Sequence, residues 1–177
     1  MVKIIKYCLA FVLVLTFAVP VFAQDDYPKF QLAPGYGNVK LSVPNLEFFG
    51  FNPGRHSGFT LDTNYNFKSA LGLDLFTGYY GVGPNAVLYT NTFGLNVPLR
   101  KNPHIIPFGT AGIGFGIFSI SSGSARSMAT RIGGGVDIPF NDSLAIRVDA
   151  TRLGFHLADS WNSGMNISAG VVINLSQ

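Results

Sequence analysis

The chain has 177 residues, with 12 Lys and Arg, nine Asp and Glu, and one cysteine, Cys8. Charged residues make up only 12% of it, against about 25% in a typical domain, while Gly occurs 21 times and Phe 16 times. This composition argues against an ordinary water-soluble domain, and a single cysteine excludes a disulfide within the chain.

Residues 1–23 have the pattern of a secretory signal peptide. Lys3 and Lys6 precede an apolar core, and small residues suit a cleavage site after residue 23. The alternative is an uncleaved membrane helix, but Pro20 and the polar residues that follow favour cleavage. We therefore expect a mature domain over residues 24–177, with ten basic and nine acidic residues. Its net charge of +1 gives no reason to expect a nucleic-acid partner.

Turn signals divide the mature chain into eight segments in which apolar and polar residues alternate, and this period of two indicates β-strands. The predicted strands cover residues 30–43, 56–67, 71–81, 86–99, 105–120, 127–140, 144–156 and 164–175. The first is the weakest because it contains Pro34, Gly35 and Gly37, and the unclear register of the fifth and seventh suggests a bulge. No segment has a sustained helical period. The sequence therefore predicts an all-β domain, an eight-stranded antiparallel up-and-down β-barrel.

The stretch FTLDTNYNF, residues 59–67, raises the question of which face of the sheet meets water. Its odd-numbered positions carry Phe59, Leu61, Tyr65 and Phe67, whereas its even-numbered positions are polar. Most predicted strands approach or exceed the roughly 9–11 residues that a tilted strand needs to cross a bilayer. Their polar faces carry Gly, Ser, Asn and Thr in place of the long charged side chains of a soluble surface. We therefore predict a transmembrane barrel with apolar faces against lipid and polar faces in the lumen.

Few charged residues fall on the predicted inward faces. They are Asp62, Asp74, Arg131, Asp137, Arg147 and Asp149. Charges in a narrow enclosed space must be paired, so we expect a polar network of ion pairs that fills the lumen. The alternative for the same residues is a narrow polar path or a small-ligand site.

The longest predicted connection, residues 44–55, has an unusual composition. It carries Phe48, Phe49, Phe51 and Arg55, which together form a candidate external binding patch. The same aromatic residues could instead fold over the mouth of the barrel or rest in the lipopolysaccharide interface.

Three stretches carry a family resemblance: IIPFGTAGIGFG (105–116), MATRIGGGVDIPFNDSLAIRVDATRL (128–153) and MNISAGVVINL (165–175). They resemble the last strands of small outer-membrane β-barrel proteins with an OmpA-like transmembrane domain. The resemblance implies a location in the outer membrane of a Gram-negative bacterium and insertion by the barrel-assembly machinery. Many such proteins end in an aromatic residue that this machinery reads, whereas this chain ends in Leu175-Ser176-Gln177.

A structural or interfacial role follows from this interpretation, with outer-membrane lipid and lipopolysaccharide as partners, a monomeric state and no cofactor. One alternative is a lipid A-modifying enzyme similar to the deacylase barrels, which need a Ser or His on the wall with an acidic partner. The candidates, His56-Ser57 and His156 with Asp159-Ser160, lack the His-x-Ser spacing of those enzymes, so no catalytic residue is predicted. A second alternative is a soluble periplasmic barrel that binds an apolar ligand in an inverted lumen. Three histidines and no mature cysteine give no metal-binding constellation.

Overall fold

The described residues of a computed structural model, 27–42, 54–121, 123–157 and 160–176, form one closed barrel. Eight antiparallel strands pair in chain order. They are β1 (Phe30–Ser42), β2 (Gly54–Lys68), β3 (Leu71–Gly83), β4 (Ala86–Pro98), β5 (Ile106–Ile120), β6 (Gly123–Pro139), β7 (Leu144–Leu157) and β8 (Ser160–Ser176). The predicted eight-stranded antiparallel barrel is confirmed. No helix in the described part of the chain is long and apolar enough to cross a membrane.

Closure of the barrel depends on β1, the strand with the weakest sequence pattern. It pairs with β2 along one edge and with β8 along the other. A Cβ atom on Gly35 would lie 2.9 Å from both the carbonyl oxygen of Ala169 in β8 and the hydroxyl oxygen of Thr60 in β2. The glycine that weakens the strand pattern is therefore explained by close approach of β1 to both of its neighbours.

The strands are staggered, so a row of paired residues shifts along the barrel axis, from the start of β1 toward its end, as it passes around the barrel. Starting from Phe30, the paired residues are Tyr65, Leu73, Leu95, Ala111, Ile132, Arg152 and Met165, and the row returns to β1 at Lys40, ten residues from its start. A stagger of this kind accompanies a strand tilt of about 35–45° from the barrel axis. The interior of such a barrel is just wide enough for side chains to fill.

The two ends of the barrel carry different connections. The terminal end has the start of β1, the end of β8 and the connections 69–70, 99–105 and 140–143. The loop end has the connections 43–53, 84–85, 121–122 and 158–159.

Three details of the sequence prediction are wrong. Because β6 begins at Gly123 and β8 at Ser160, most of the predicted loops 121–126 and 157–163 is strand. Ser, Gly and Asn continue the hydrogen-bonded ladder here, since backbone pairing does not require apolar side chains. The expected bulge in the fifth or seventh strand is also wrong, because both pair without a register shift.

Large apolar side chains cover the outside of the barrel. Phe59 and Ile113 are 70% and 68% exposed, while Asp62, Asn64 and Asn66 on the opposite face of β2 are at most 2% exposed. Soluble monomers rarely expose contiguous apolar surface on this scale. The predicted assignment of the two faces in residues 59–67 is therefore confirmed.

We predict that Val148→Arg lowers the free energy of unfolding by about 2–4 kcal/mol, because it places a charge near the middle of the outward apolar band. The matched control is Ser119→Arg, on the outward face near the loop end of β5, where the cost is expected to be about 0–1 kcal/mol. Urea unfolding in lipid vesicles measures both. Equal losses at the two positions would contradict the assignment of the apolar band to lipid.

Candidate functional site in the barrel interior

The interior of the barrel has two layers of different chemistry. The first is polar and contains all six predicted charged residues, each at most 6% exposed: Asp62, Asp74, Arg131, Asp137, Arg147 and Asp149. The second is apolar and lies toward the loop end, with Val39, Leu41, Phe76, Tyr80, Val82, Leu88, Phe118, Leu153 and Phe155 as its main members. Each layer fills the lumen by a different kind of contact.

Arg131 is the centre of the polar layer. From β6 it reaches across the lumen, and its Nη1 donates hydrogen bonds to Asp62 Oδ1 at 2.7 Å and to Asp74 Oδ2 at 2.8 Å. Its guanidinium also lies 4.1 Å from the ring centroid of Phe76, and Thr110 donates a hydrogen bond to Asp74 at 2.8 Å. One cation thus holds two carboxylates that extend from the far wall.

A second arginine forms the ion pair nearest the terminal end. Arg147 and Asp137 are direct cross-strand partners on β7 and β6, and they form two hydrogen bonds, from Nε at 2.7 Å and from Nη2 at 2.8 Å. The Arg147 guanidinium lies 4.4 Å from the ring centroid of Phe108. Its Nη1 is also 3.9 Å from Asp62 Oδ2, so the two arginines share one connected network.

Asp149 is the member of the set that is not in an ion pair within the described residues. Its Oδ2 accepts a hydrogen bond from the Ser168 hydroxyl at 2.5 Å, and its Oδ1 has no hydrogen-bond partner in this part of the chain. The network therefore holds four carboxyl groups and two guanidiniums, and Asp149 is the carboxyl group that neither guanidinium holds in an ion pair.

Tight ring packing forms the apolar layer, which the sequence analysis did not predict. The rings of Phe118 and Phe155 meet edge to face with centroids 5.2 Å apart. Gly116 leaves room for this pair, because a Cβ atom there would lie 2.9 Å from the Phe155 ring. Tyr80 joins the two layers, since its hydroxyl donates a 2.9 Å hydrogen bond to Asn166. One feature of the sequence could have predicted this layer: near the loop end of β5 the alternation of apolar and polar residues is lost, and both faces of the strand become apolar.

Among the described residues, the side chains considered for catalysis are not assembled into a catalytic group, and Asp159 lies outside the described residues. His56 and Ser57 are consecutive strand residues, so they point to opposite faces of the sheet. His156 packs its ring against Trp161 at 5.3 Å, and the Ser160 hydroxyl donates to the Leu157 carbonyl oxygen at 3.1 Å.

Other predicted site residues lie at the loop end. Arg55 is exposed at the start of β2, whereas Phe48, Phe49 and Phe51 lie outside the described residues. Among the residues that the structure describes, no group of His, Cys, Asp or Glu side chains is arranged to hold a metal ion.

A cavity of about 290 Å³ opens at the terminal end, below the Arg147–Asp137 pair. Its walls include Asp137, Gln31 and Arg100, which belongs to the connection 99–105. Arg100 donates a hydrogen bond to the Ser69 carbonyl oxygen. Partial burial lowers the pKa of Arg100 to about 10, so it remains a cation at neutral pH.

A closed sheet with an apolar outside and a packed interior is the architecture of a transmembrane β-barrel, since lipid tolerates a sheet only when no edge is left unpaired. The chain belongs to the family described as "Outer membrane protein beta-barrel domain", which it matches over residues 9–174. It is therefore a protein of the Gram-negative outer membrane. This finding and the outward apolar face make the soluble periplasmic alternative wrong.

Several solved outer-membrane barrels are similar in structure. Neisserial surface protein A has a TM-score of 0.66 at 13% identity, with 83% of this chain and 97% of that chain covered. The N-terminal β-barrel domain of Pseudomonas aeruginosa OprF gives 0.54 at 15% identity, covering 82% and 98%. Ail of Yersinia pestis gives 0.53 at 17% identity, covering 81% and 97%. Identities this low show a shared fold alone. No curated protein matches the chain in sequence.

We predict that Arg131→Met lowers the free energy of unfolding by about 3–5 kcal/mol, because it leaves Asp62 and Asp74 buried without their cation. Adding Asp62→Asn and Asp74→Asn to this variant should recover most of the loss. Unfolding by urea in lipid vesicles measures each step. Arg126→Met, at an exposed arginine near the loop end, is the control and should change stability by less than about 0.5 kcal/mol. If Arg131→Met left the free energy of unfolding unchanged, the network would not stabilise the barrel.

Proposed function

We propose that this protein is a sealed structural barrel of the outer membrane, which acts through its contacts with lipid and lipopolysaccharide and catalyses no reaction. The observation that carries the proposal is the filled interior. The Arg131 network spans the lumen, and the Phe118–Phe155 pair belongs to a second layer above it. Ions crossing the barrel would have to displace both layers.

The filled lumen leaves the outer wall and the two ends as the surfaces available to partners. We infer that the end carrying the start of β1 and the end of β8 faces the periplasm, as in other outer-membrane barrels with an even number of strands. The loop end then faces the outer leaflet and the cell exterior, next to lipopolysaccharide. An interfacial role at this end is supported by its exposed aromatic side chains, such as Trp161, which is 57% exposed.

The route to the membrane is part of the same proposal. Residues 1–23 direct export and are removed, residues 24–177 form the mature domain, and the barrel-assembly machinery inserts it. We infer a monomer, because ring closure of β1 onto β8 leaves no strand edge that a second chain would need to cover.

We predict that the purified barrel produces no conductance steps in planar lipid bilayers in concentrated KCl. The reason is that both layers of the interior exclude a continuous water column. An outer-membrane porin recorded in the same bilayers is the positive control. Steady, voltage-independent steps from the purified protein would contradict a sealed lumen.

We predict that neither deletion nor overexpression of the gene changes the lipid A mass spectrum of the host. His156 packs on Trp161, and the Ser160 hydroxyl donates a hydrogen bond to a main-chain oxygen, so in the described part of the wall these two side chains do not form the base and nucleophile pair that acyl transfer requires. A loss of acyl chains on overexpression, abolished by His156→Ala, would establish the enzyme alternative in place of the structural role.

A further inference from the structure

Basic and acidic residues are segregated between the outside and the inside of the barrel. In the described part of the chain, the carboxylates of Asp62, Asp74, Asp137 and Asp149 are buried in the lumen, and Asp142 lies at the terminal end. The outward positions near the loop end instead carry exposed Lys40, Arg55, Arg126 and Arg152. The described outer wall at this end is therefore cationic.

Three of these residues form what we call the basic row: Arg55, Lys40 and Arg152. Arg55 is the direct partner of Lys40 across β2 and β1. Lys40 and Arg152 are both partners of Met165 on β8, from its two sides. The row thus crosses four adjacent strands, and at about 4.8 Å between strands it spans roughly 14 Å.

The basic row is electrostatically unfavourable unless an anion accompanies it. Like charges directly opposite each other across two strands are destabilising, and Lys40 and Arg55 are such a pair. Within the described residues, no carboxylate forms an ion pair with any member of the row. Arg152 donates one side-chain hydrogen bond, to the Ser163 hydroxyl at 2.9 Å. The geometry therefore favours a bound anionic group.

The position of the row along the barrel identifies the surroundings of that anion. Lys40 is ten residues beyond Phe30 on the same strand, which corresponds to a rise of roughly 23 Å at about 3.3 Å per residue and 45° tilt. The apolar band of outer-membrane barrels is about 25 Å tall. Lys40 therefore lies at the headgroup level, above exposed Tyr36 and Phe59, whose rings meet edge to face at 5.8 Å. Because the row climbs by about 3 Å from one strand to the next, Arg55 lies slightly higher and Arg152 lies about 6 Å lower, at the upper edge of the apolar band.

A groove of about 220 Å³ adjoins Arg152 on the outer wall of β6, β7 and β8. Ile132 and Trp161 supply apolar walls, and Thr130 and Ser163 supply hydroxyls. Gly154 helps to keep the groove open, because a Cβ atom there would lie 2.5 Å from Thr130 Oγ1 and 3.6 Å from the Trp161 ring. A groove with an arginine at one side and apolar walls suits an acyl chain attached to an anionic headgroup.

We propose that the basic row binds the phosphorylated disaccharide of lipid A in the outer leaflet, with acyl chains against Tyr36, Phe59 and the groove beside Arg152. This inference rests on the proposed placement of the loop end at the outer leaflet. Three cations over roughly 14 Å match a headgroup with two separated phosphates, whereas an ordinary phospholipid offers one phosphate. Lysine and arginine near a membrane surface each strengthen binding to anionic lipid about fivefold, equivalent to roughly 1 kcal/mol.

The test measures binding of the purified full-length barrel, in a zwitterionic detergent, to doubly phosphorylated lipid A, dephosphorylated lipid A and phosphatidylglycerol. The wild type should bind doubly phosphorylated lipid A at least about tenfold more tightly than either other lipid. The variant Lys40→Ser/Arg55→Ser/Arg152→Ser should lose at least about tenfold in affinity for it. The control Lys29→Ser/Lys68→Ser/Lys101→Ser removes the same charge at the terminal end and should change the affinity by less than about twofold, because it lies beyond a Debye length.

Faster gel migration before boiling than after it verifies that each variant retains the closed barrel. The lipid comparison on the wild type requires no variant and keeps the test decisive if a variant fails to fold. Equal binding of the three lipids, an unchanged affinity in the row variant, or equal losses in both triple variants would overturn the proposal. A conducting barrel that still prefers phosphorylated lipid A would refute the sealed lumen alone, and a sealed barrel without that preference would refute the lipid A site alone.

Discussion

The requirement that every backbone polar group find a partner inside lipid determines the rest of this structure. A sheet meets that requirement only when its first and last strands pair, as β1 and β8 do here. Closure at eight strands fixes an interior that is just wide enough for side chains to fill. The inward residues must therefore pack against one another or pair their charges, and the outward residues must be compatible with lipid.

The two layers of the interior satisfy this demand in different ways. Burial of a charge costs several kcal/mol unless a partner and hydrogen bonds accompany it, and Arg131 supplies both to Asp62 and Asp74 on the opposite wall. The apolar layer needs no such pairing, because the rings of Phe118 and Phe155 interlock. The polar layer specifies which strands face each other across the lumen, and the apolar layer excludes water from the end that faces the cell exterior in the proposed orientation.

The sequence predicted the faces of the strands better than the contacts inside the barrel. A period of two assigns Phe59 and Asp62 to opposite faces whatever the register, so that assignment needed only local information. The pair Arg147–Asp137 lies on neighbouring strands joined by a short connection, which made an ion pair there a natural expectation. The partners of Arg131 could not be predicted, because they depend on the stagger of all eight strands. The apolar layer was missed because alternation carries no signal where both faces are apolar.

The same stagger that closes the lumen brings Lys40 of the first strand close to Arg152 of the seventh. In the lumen, carboxyl groups outnumber guanidinium groups. On the outer wall near the loop end, by contrast, every charged residue that the structure describes is a lysine or an arginine. A soluble protein would mix the two signs on its surface, since repulsion between like charges destabilises the fold. Segregation of this kind is favourable only where the surroundings supply the missing anions. A leaflet of phosphorylated lipid does so at the height of the basic row, where water screens the charges less than it does in bulk solution.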